Sequence, residues 1–193
     1  MCSKKMVQIA FLAGVAFLLM FTVEFPFPFL PPFLKYDPSE VPALIAAFAW
    51  GSWTGLIVEL IKNVLFFASG KATSGFIGFL GAFIAGGSYV VTAGAVYRRW
   101  RTKTGAVVSL VTATGVLVIV MAVANYFILL PLWGIPTEQV GGLIVSAVLP
   151  FNLAKGLLSA VITFIIYKRV RFFLGESVKE SPVIRSIPKM PRS

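Results

Sequence analysis

Long apolar blocks separated by short polar interruptions run the length of this chain. They cover about residues 6–23, 40–50, 53–68, 74–97, 104–130 and 140–173. A helix that crosses a bilayer needs roughly 20 apolar residues, within a range of about 17–25. Each block reads as a helix, so the expected class is an all-α integral membrane protein with six transmembrane helices. The block at 40–50 is too short to cross alone and should tilt or begin deep within the protein. Between the first two helices stands EFPFPFLPPFLKYDPSE at 24–40, with five prolines and five aromatic residues. Proline lacks an N–H and fixes φ, so this stretch reads as a loop rich in proline and aromatic residues. No internal repeat is evident. Residues 1–174 form one expected membrane domain, and 175–193 a polar, proline-spaced, flexible cytoplasmic tail. The first block has a basic start but no small-x-small cleavage site after it, so it reads as a retained helix.

Charge orients the blocks. Lys4, Lys5, Arg98, Arg99, Arg101, Lys103, Lys168, Arg169 and Arg171 all flank apolar segments. Cytoplasmic loops carry such an excess of Lys and Arg. Both termini are therefore expected in the cytoplasm, with a turn on the same side at Trp50-Gly51-Ser52. Glu24, Asp37, Glu40 and Glu138 then fall on the outer side, and Trp133, Tyr36, Trp100 and Tyr167 suit the interfaces. Composition agrees: the chain is 58% hydrophobic and 12% charged, with mean hydropathy +0.91. The net charge of +10 is distributed by topology, which argues against a nucleic-acid surface.

Several chemistries are excluded. There is no histidine, and Cys2 is the one cysteine. The commonest neutral-pH base, an internal disulfide and a multi-cysteine metal site are thus absent. Gly70-Lys71 lacks the upstream glycine and the following Ser or Thr of a phosphate-binding loop. No paired carboxylates or nucleophile motif stands out. The chain is expected to be neither an enzyme nor an ATPase and to carry no cofactor or metal.

Few polar residues interrupt the apolar blocks, and an ionisable group within a span usually faces a cavity or a partner. Counting rise from the inner ends places Lys62 and Asn63 roughly 15 Å up, Asn125 roughly 33 Å, and Asn152 and Lys155 roughly 20–24 Å. All lie in the outer half, beneath the proline-rich loop. That loop can fold over an externally open cavity, where irregular backbone is tolerated. Phe25, Phe27, Phe29, Phe33, Leu34 and Tyr36 would give it apolar and stacking surface. Competing readings stand beside this one. Asn125 could make an interhelical hydrogen bond. Glu59 and Lys62, three apart, could simply pair. Lys155 has no acid within four residues, so a ligand oxygen, a distant acid such as Glu59 or Asp37, or water must meet its charge. On the first helix Ala10 and Gly14, with Ala13 beside them, make a small-residue face that lets another helix approach closely.

The run FPFPFLPPFLKYDPSEVPALIAAFAWGSWTGLIVELIKN, with ANYFILLPLWG at 124–134 and LPFNLAKGLLSAVI at 149–162, resembles the riboflavin-specific substrate-binding (S) components of energy-coupling factor (ECF) transporters. The likeness extends from about residue 5 to 172. It implies a high-affinity riboflavin-binding subunit in a prokaryotic cell membrane, with riboflavin as transported ligand rather than cofactor. It implies a transmembrane coupling subunit (EcfT) and two cytoplasmic ATP-binding subunits (EcfA and its paralogue) as partners, within the lipid bilayer. Carried over by motif, the ligand contacts are Leu34, Tyr36, Asp37, Asn125, Asn152 and Lys155, with Phe79 on the fourth helix. Lys62 and Asn63 join them from their depth. Ala10, Ala13 and Gly14 become the face toward the coupling subunit. An S component for thiamine, biotin or a folate, a facilitator working alone, and a lipid-modifying enzyme are the alternatives.

If that face docks a partner, Gly14→Leu should leave ligand binding intact and impair uptake. Parallel binding and cellular uptake assays check this; unchanged uptake refutes it.

Overall fold

The computed structural model describes residues 3–27 and 29–179, with side chains through residue 167. Its helices are α1 (Ser3–Val23), α2 (Glu40–Trp50), α3 (Ser52–Ala68), α4 (Gly75–Arg99), α5 and α6. Helix α5 comprises Lys103–Ala124, a π-helical turn at Asn125–Leu129, and Leu130–Leu132. Helix α6 comprises Thr137–Leu143, a second π turn at Ile144–Val148, and Leu149–Lys179. The helix thus runs past the expected tail boundary at 174, and the rest of that expected tail, 180–193, lies outside the described residues. The loop at 24–40 is not wholly irregular. Strands β1 (Phe25–Pro26) and β2 (Lys35–Tyr36) form a small antiparallel hairpin, with Phe25 opposite Tyr36 and Pro26 opposite Lys35. Proline can occupy such an edge because no further strand needs its missing N–H.

Among the described residues four helices are long and apolar enough to cross a membrane: Ser3–Val23, Gly75–Arg99, Lys103–Leu132 and Thr137–Tyr167. Helices α2 and α3, of 11 and 17 residues, fall short of that measure. The reason differs for each. Helix α2 is buried from Glu40 to Phe48 and packs against α1, α3, α4 and α6, so its surface is covered by protein. Helix α3 carries Glu59 and Lys62 in its interior, both buried. The turn between α2 and α3 is made by Gly51, whose φ of 99° is one that side-chain-bearing residues rarely adopt.

Small residues set the packing. Ala13, Ala16, Ala43, Ala46, Ala47, Ala85 and Ala93 are buried at the centre of the bundle. Large apolar side chains such as Phe11, Val111, Ile119, Phe127, Val145 and Val161 point outward. This inversion is expected where lipid is the solvent, because helices then associate by close packing rather than by hiding apolar surface from water. Helix α1 presents Ile9, Ala13, Ala16 and Met20 inward. Ala13 therefore belongs to the bundle core. Ala10 is exposed, and Gly14 is half-buried with open space around it.

Both π turns have a covalent cause. Pro131 and Pro150 each lack the N–H that would bond the carbonyl four residues back. A π turn precedes each proline and absorbs the mismatch. The first turn begins at Asn125, and the second ends shortly before Asn152.

Helix ends are held together across the bundle. Ser52 Oγ donates to Val91 O at 3.0 Å, and the hydroxyls of Tyr97 and Tyr167 hydrogen-bond. At the opposite end Lys71 Nζ donates to Phe21 O.

Gly55 marks a tight crossing of α3 with α2 and α4: an added Cβ would lie 2.8 Å from Ala43 O, 2.7 Å from Ala47 Cβ and closer still to Val90 Cγ1. Gly55→Val should therefore cost about 1–3 kcal/mol through overpacking. Thermal melting in detergent, with Gly14→Val as the open-space control, is the measurement.

Candidate functional site

A cavity opens at the hairpin end of the bundle, with about 920 Å³ of empty space, part of it continuous with solvent. Its walls come from distant parts of the sequence. The hairpin contributes Phe33, Leu34 and Asp37; α3 contributes Asn63, Phe66 and Phe67; α4 contributes Phe79; α5 contributes Asn125; and α6 contributes Phe151, Asn152 and Lys155. Of the expected ligand contacts, Leu34, Asp37, Asn63, Phe79, Asn125, Asn152 and Lys155 line this space.

Tyr36 and Lys62 do not line it. Tyr36 is turned away from the cavity and meets Phe25 and Phe27 edge-on at 5.6 and 6.2 Å. Burial pushes its phenol above the ordinary pKa, so it stays protonated. Lys62, 1% exposed, is turned toward α2: it donates to Ser39 Oγ at 2.6 Å and pairs with Glu59 at 3.0 Å. The i,i+3 pairing of Glu59 with Lys62 is thus present, and it withdraws Lys62 from the cavity wall.

Three asparagines share one device. The amide nitrogens of Asn63, Asn125 and Asn152 each donate to the carbonyl four residues back, Glu59, Met121 and Val148, at 2.8, 2.7 and 2.8 Å. For Asn125 this replaces the interhelical bond considered above. Each amide is pinned to its own helix at one end, which presents the other end outward. The Oδ1 atoms of Asn63 and Asn152 are buried without a hydrogen-bond partner. A buried polar atom left unsatisfied costs about 1–3 kcal/mol. The arrangement suits a ligand that brings N–H or O–H donors.

Lys155 finds its counter-charges across the bundle. Its Nζ is 2.8 Å from Glu40 Oε1 and 3.6 Å from Asp37 Oδ2. Asp37 was among the acids considered for it; Glu59 pairs with Lys62 instead, and Glu40 is the nearest. Glu40 Oε1 also lies 3.8 Å from Lys62 Nζ. Five buried ionisable groups, Asp37, Glu40, Glu59, Lys62 and Lys155, thus form one cluster under the cavity. Burial alone would raise the Asp37 carboxyl. Lys155, Lys62 and the hydrogen bonds from Ser39 outweigh it, and Asp37 is held below the usual carboxylate range. The backbone N–H of Ser39 donates to its Oδ1 at 3.0 Å.

Aromatic rings line the upper wall. Phe33 stacks on Trp133 at 5.5 Å, Phe67 lies 5.6 Å from Phe79, and Phe151 meets Phe27 edge-on at 5.7 Å. At the mouth Lys35 joins Glu24 at 3.1 Å and Thr73 Oγ1 at 2.9 Å, and Lys71 sits 4.4 Å over the Phe21 ring. Sequence reasoning missed Phe66, Phe67 and Phe151, which look like ordinary lipid-facing apolar residues. It assigned Trp133 to an interfacial belt and Glu40 to topology alone. The position of Glu40 in the first turn after the loop was the available signal.

The profile of the family described as "ECF transporter, substrate-specific component" matches residues 4–167. A riboflavin transporter RibU from Staphylococcus aureus (strain TCH60) is 38% identical over 180 residues, covering 89% of this chain and 93% of that protein. A riboflavin transporter FmnP from Bacillus subtilis (strain 168) is 33% identical over 176 residues, covering 87% and 92%. A solved structure of the S component of a bacterial ECF transporter superposes with TM-score 0.78 at 37% identity, covering 90% of this chain and 99% of that one.

Lys62→Met would strand Glu59 and part of the charge of Glu40. Breaking a buried pair from one side costs about 3–5 kcal/mol. A marked fall in melting temperature in detergent is expected; a change within error would show that the pair contributes nothing to folding.

Proposed function

The chain belongs to the substrate-specific components of ECF transporters, and from that membership we propose that it captures riboflavin at the outer face of a prokaryotic cell membrane for ATP-driven import. It is a transport subunit and not an enzyme, as its relatives are transporters. The observation that carries the ligand assignment is the pairing of an aromatic upper wall with a floor of pinned amides and one lysine.

Isoalloxazine is flat, with an apolar dimethylbenzene edge and a uracil-like edge bearing carbonyls and an N–H. Asn63 and Asn152 can accept at their unpaired Oδ1 atoms, and an asparagine amide can also donate. Lys155 has three donor positions, one of them directed to Glu40. It can give another to a flavin carbonyl or a ribityl hydroxyl. Phe33, Phe66, Phe67 and Trp133 offer the flat ring an apolar, stackable surface.

Import against a gradient needs energy, and no phosphate-binding motif is present in the sequence. In this reading a coupling subunit (EcfT) and two ATP-binding subunits (EcfA and its paralogue) supply it. The exposed Ala10 and half-buried Gly14 on α1 give the coupling subunit a surface for close approach. In this reading the six helices form one membrane bundle, α2 covered by its neighbours and α3 facing lipid along one side, and both termini are cytoplasmic. The basic residues at Arg98–Lys103 and Lys4–Lys5 support that orientation.

Protein purified in detergent from riboflavin-fed cells should show oxidised-flavin bands near ~370 and ~450 nm, with about one flavin per chain released on heating. Asn152→Ala and Lys155→Ala should each weaken riboflavin binding by about 1–3 kcal/mol, measured by quenching of flavin fluorescence. A colourless protein that leaves added riboflavin unquenched refutes the assignment.

A further inference from the structure

Glu40 is close to the cavity without lining it. It is 2% exposed, and the cavity's acidic lining residues are Glu24 and Asp37. Glu40 Oε1 reaches both ammonium groups of the buried cluster, Lys155 at 2.8 Å and Lys62 at 3.8 Å.

The consequence of that placement falls on Lys155. Its two anions are Glu40 at 2.8 Å and Asp37 at 3.6 Å. Asp37 belongs to the loop and lines the cavity, whereas Glu40 sits outside the lining. Without Glu40 the ammonium has one anion left, and that anion would draw it toward the loop. With Glu40 it is held between the two. We infer that Glu40 is a positioning residue for ligand capture, setting the direction in which Lys155 offers its remaining donor to the cavity. The inference rests on the reading of Lys155 as a contact for riboflavin.

Glu40 is suited to the part by its place in the chain. It opens α2 directly after the hairpin loop, in the first helical turn. Unpaired backbone N–H groups there favour a carboxylate. Its Oε1 is shared between Lys155 of α6 and, at 3.8 Å, Lys62 of α3. Lys62 in turn holds Ser39, the last residue before α2. The seat of Glu40 is therefore fixed by the same contacts that seat the end of the loop. Docking the loop and aiming Lys155 are one event.

The experiment measures riboflavin affinity of the full chain in detergent, by fluorescence quenching, alongside thermal melting. Wild type, Glu40→Gln, Glu40→Asp, Lys155→Met and the double variant Glu40→Gln/Lys155→Met form the set. Glu40→Gln should raise the Kd by about tenfold or more. In the Lys155→Met background the same change should add less than about twofold, because the group being positioned is gone. Glu40→Asp keeps the charge but shortens the reach, and should show a smaller loss that also vanishes in the Lys155→Met background. A purely structural role would instead lower the melting temperature and weaken binding equally in both backgrounds, and that result overturns the inference. So does wild-type affinity in Glu40→Gln. Should Glu40→Gln not fold, Glu40→Asp with and without Lys155→Met gives the same comparison. Wild-type protein that binds no riboflavin overturns the ligand assignment and this inference together; the other results bear on Glu40 alone.

Discussion

The fold turns on burying five charges in a bundle built to face lipid. Asp37, Glu40, Glu59, Lys62 and Lys155 come from the loop, α2, α3 and α6. Each would be costly alone in such a place, since removing an ion from water costs several kcal/mol even after relaxation. Together they satisfy one another, and doing so requires all four segments to be in register. Apolar packing between helices in lipid is weakly directional, because lipid tails are as apolar as the side chains. The ionic cluster supplies the direction that packing lacks. It fixes where α2 begins, how α3 is rotated, and which face of α6 looks into the cavity.

The rest of the site inherits that register. Once α3 and α6 are rotated so that Lys62 and Lys155 reach Glu40, Asn63 and Asn152 are carried to the cavity floor by helical periodicity. The π turns add the last adjustment before Asn152, and Asn125 lies within the first of them. Covering α2 on all sides lets an 11-residue helix exist at membrane depth. Small residues at Ala43, Ala47, Gly55 and Gly94 make that covering possible.

Much of this was legible in the sequence, for identifiable reasons. Polar residues are so rare in the apolar blocks that counting helical rise alone placed Asn63, Asn125, Asn152 and Lys155 at related depth. The loop announced itself through its prolines. What remained hidden depends on rotation about helix axes and on pairs distant in sequence. Phe66 and Phe67 differ from lipid-facing phenylalanines only in which way α3 is turned. Lys62 has the composition and depth of a ligand contact; its spacing from Glu59 offered their pairing as an alternative, and the bond to Ser39, 23 residues away, had no sequence signal. Tyr36 and Leu34 sit two apart, both buried in one small apolar cluster, yet only Leu34 lines the cavity. Residues two apart share a strand face, so periodicity groups these two and gives no means of parting them. The length of α2 likewise reflects the protein that covers it, which a residue count does not reveal.

The hairpin over the cavity is fastened by charge at the ends of its strands. Asp37 and Glu40, just after β2, are anchored in the buried cluster. Lys35 joins Glu24 and Thr73 across the start of the hairpin, while Lys71 ties the neighbouring loop to α1. Between the strands the chain is held by backbone hydrogen bonds from Leu30 to Phe27 and from Leu34 to Pro31, and by apolar contact of Leu30 and Phe33 with the cluster around Leu34 and Phe151. The cover is thus sewn down along its hem by ions and rests on the cavity by apolar contact alone.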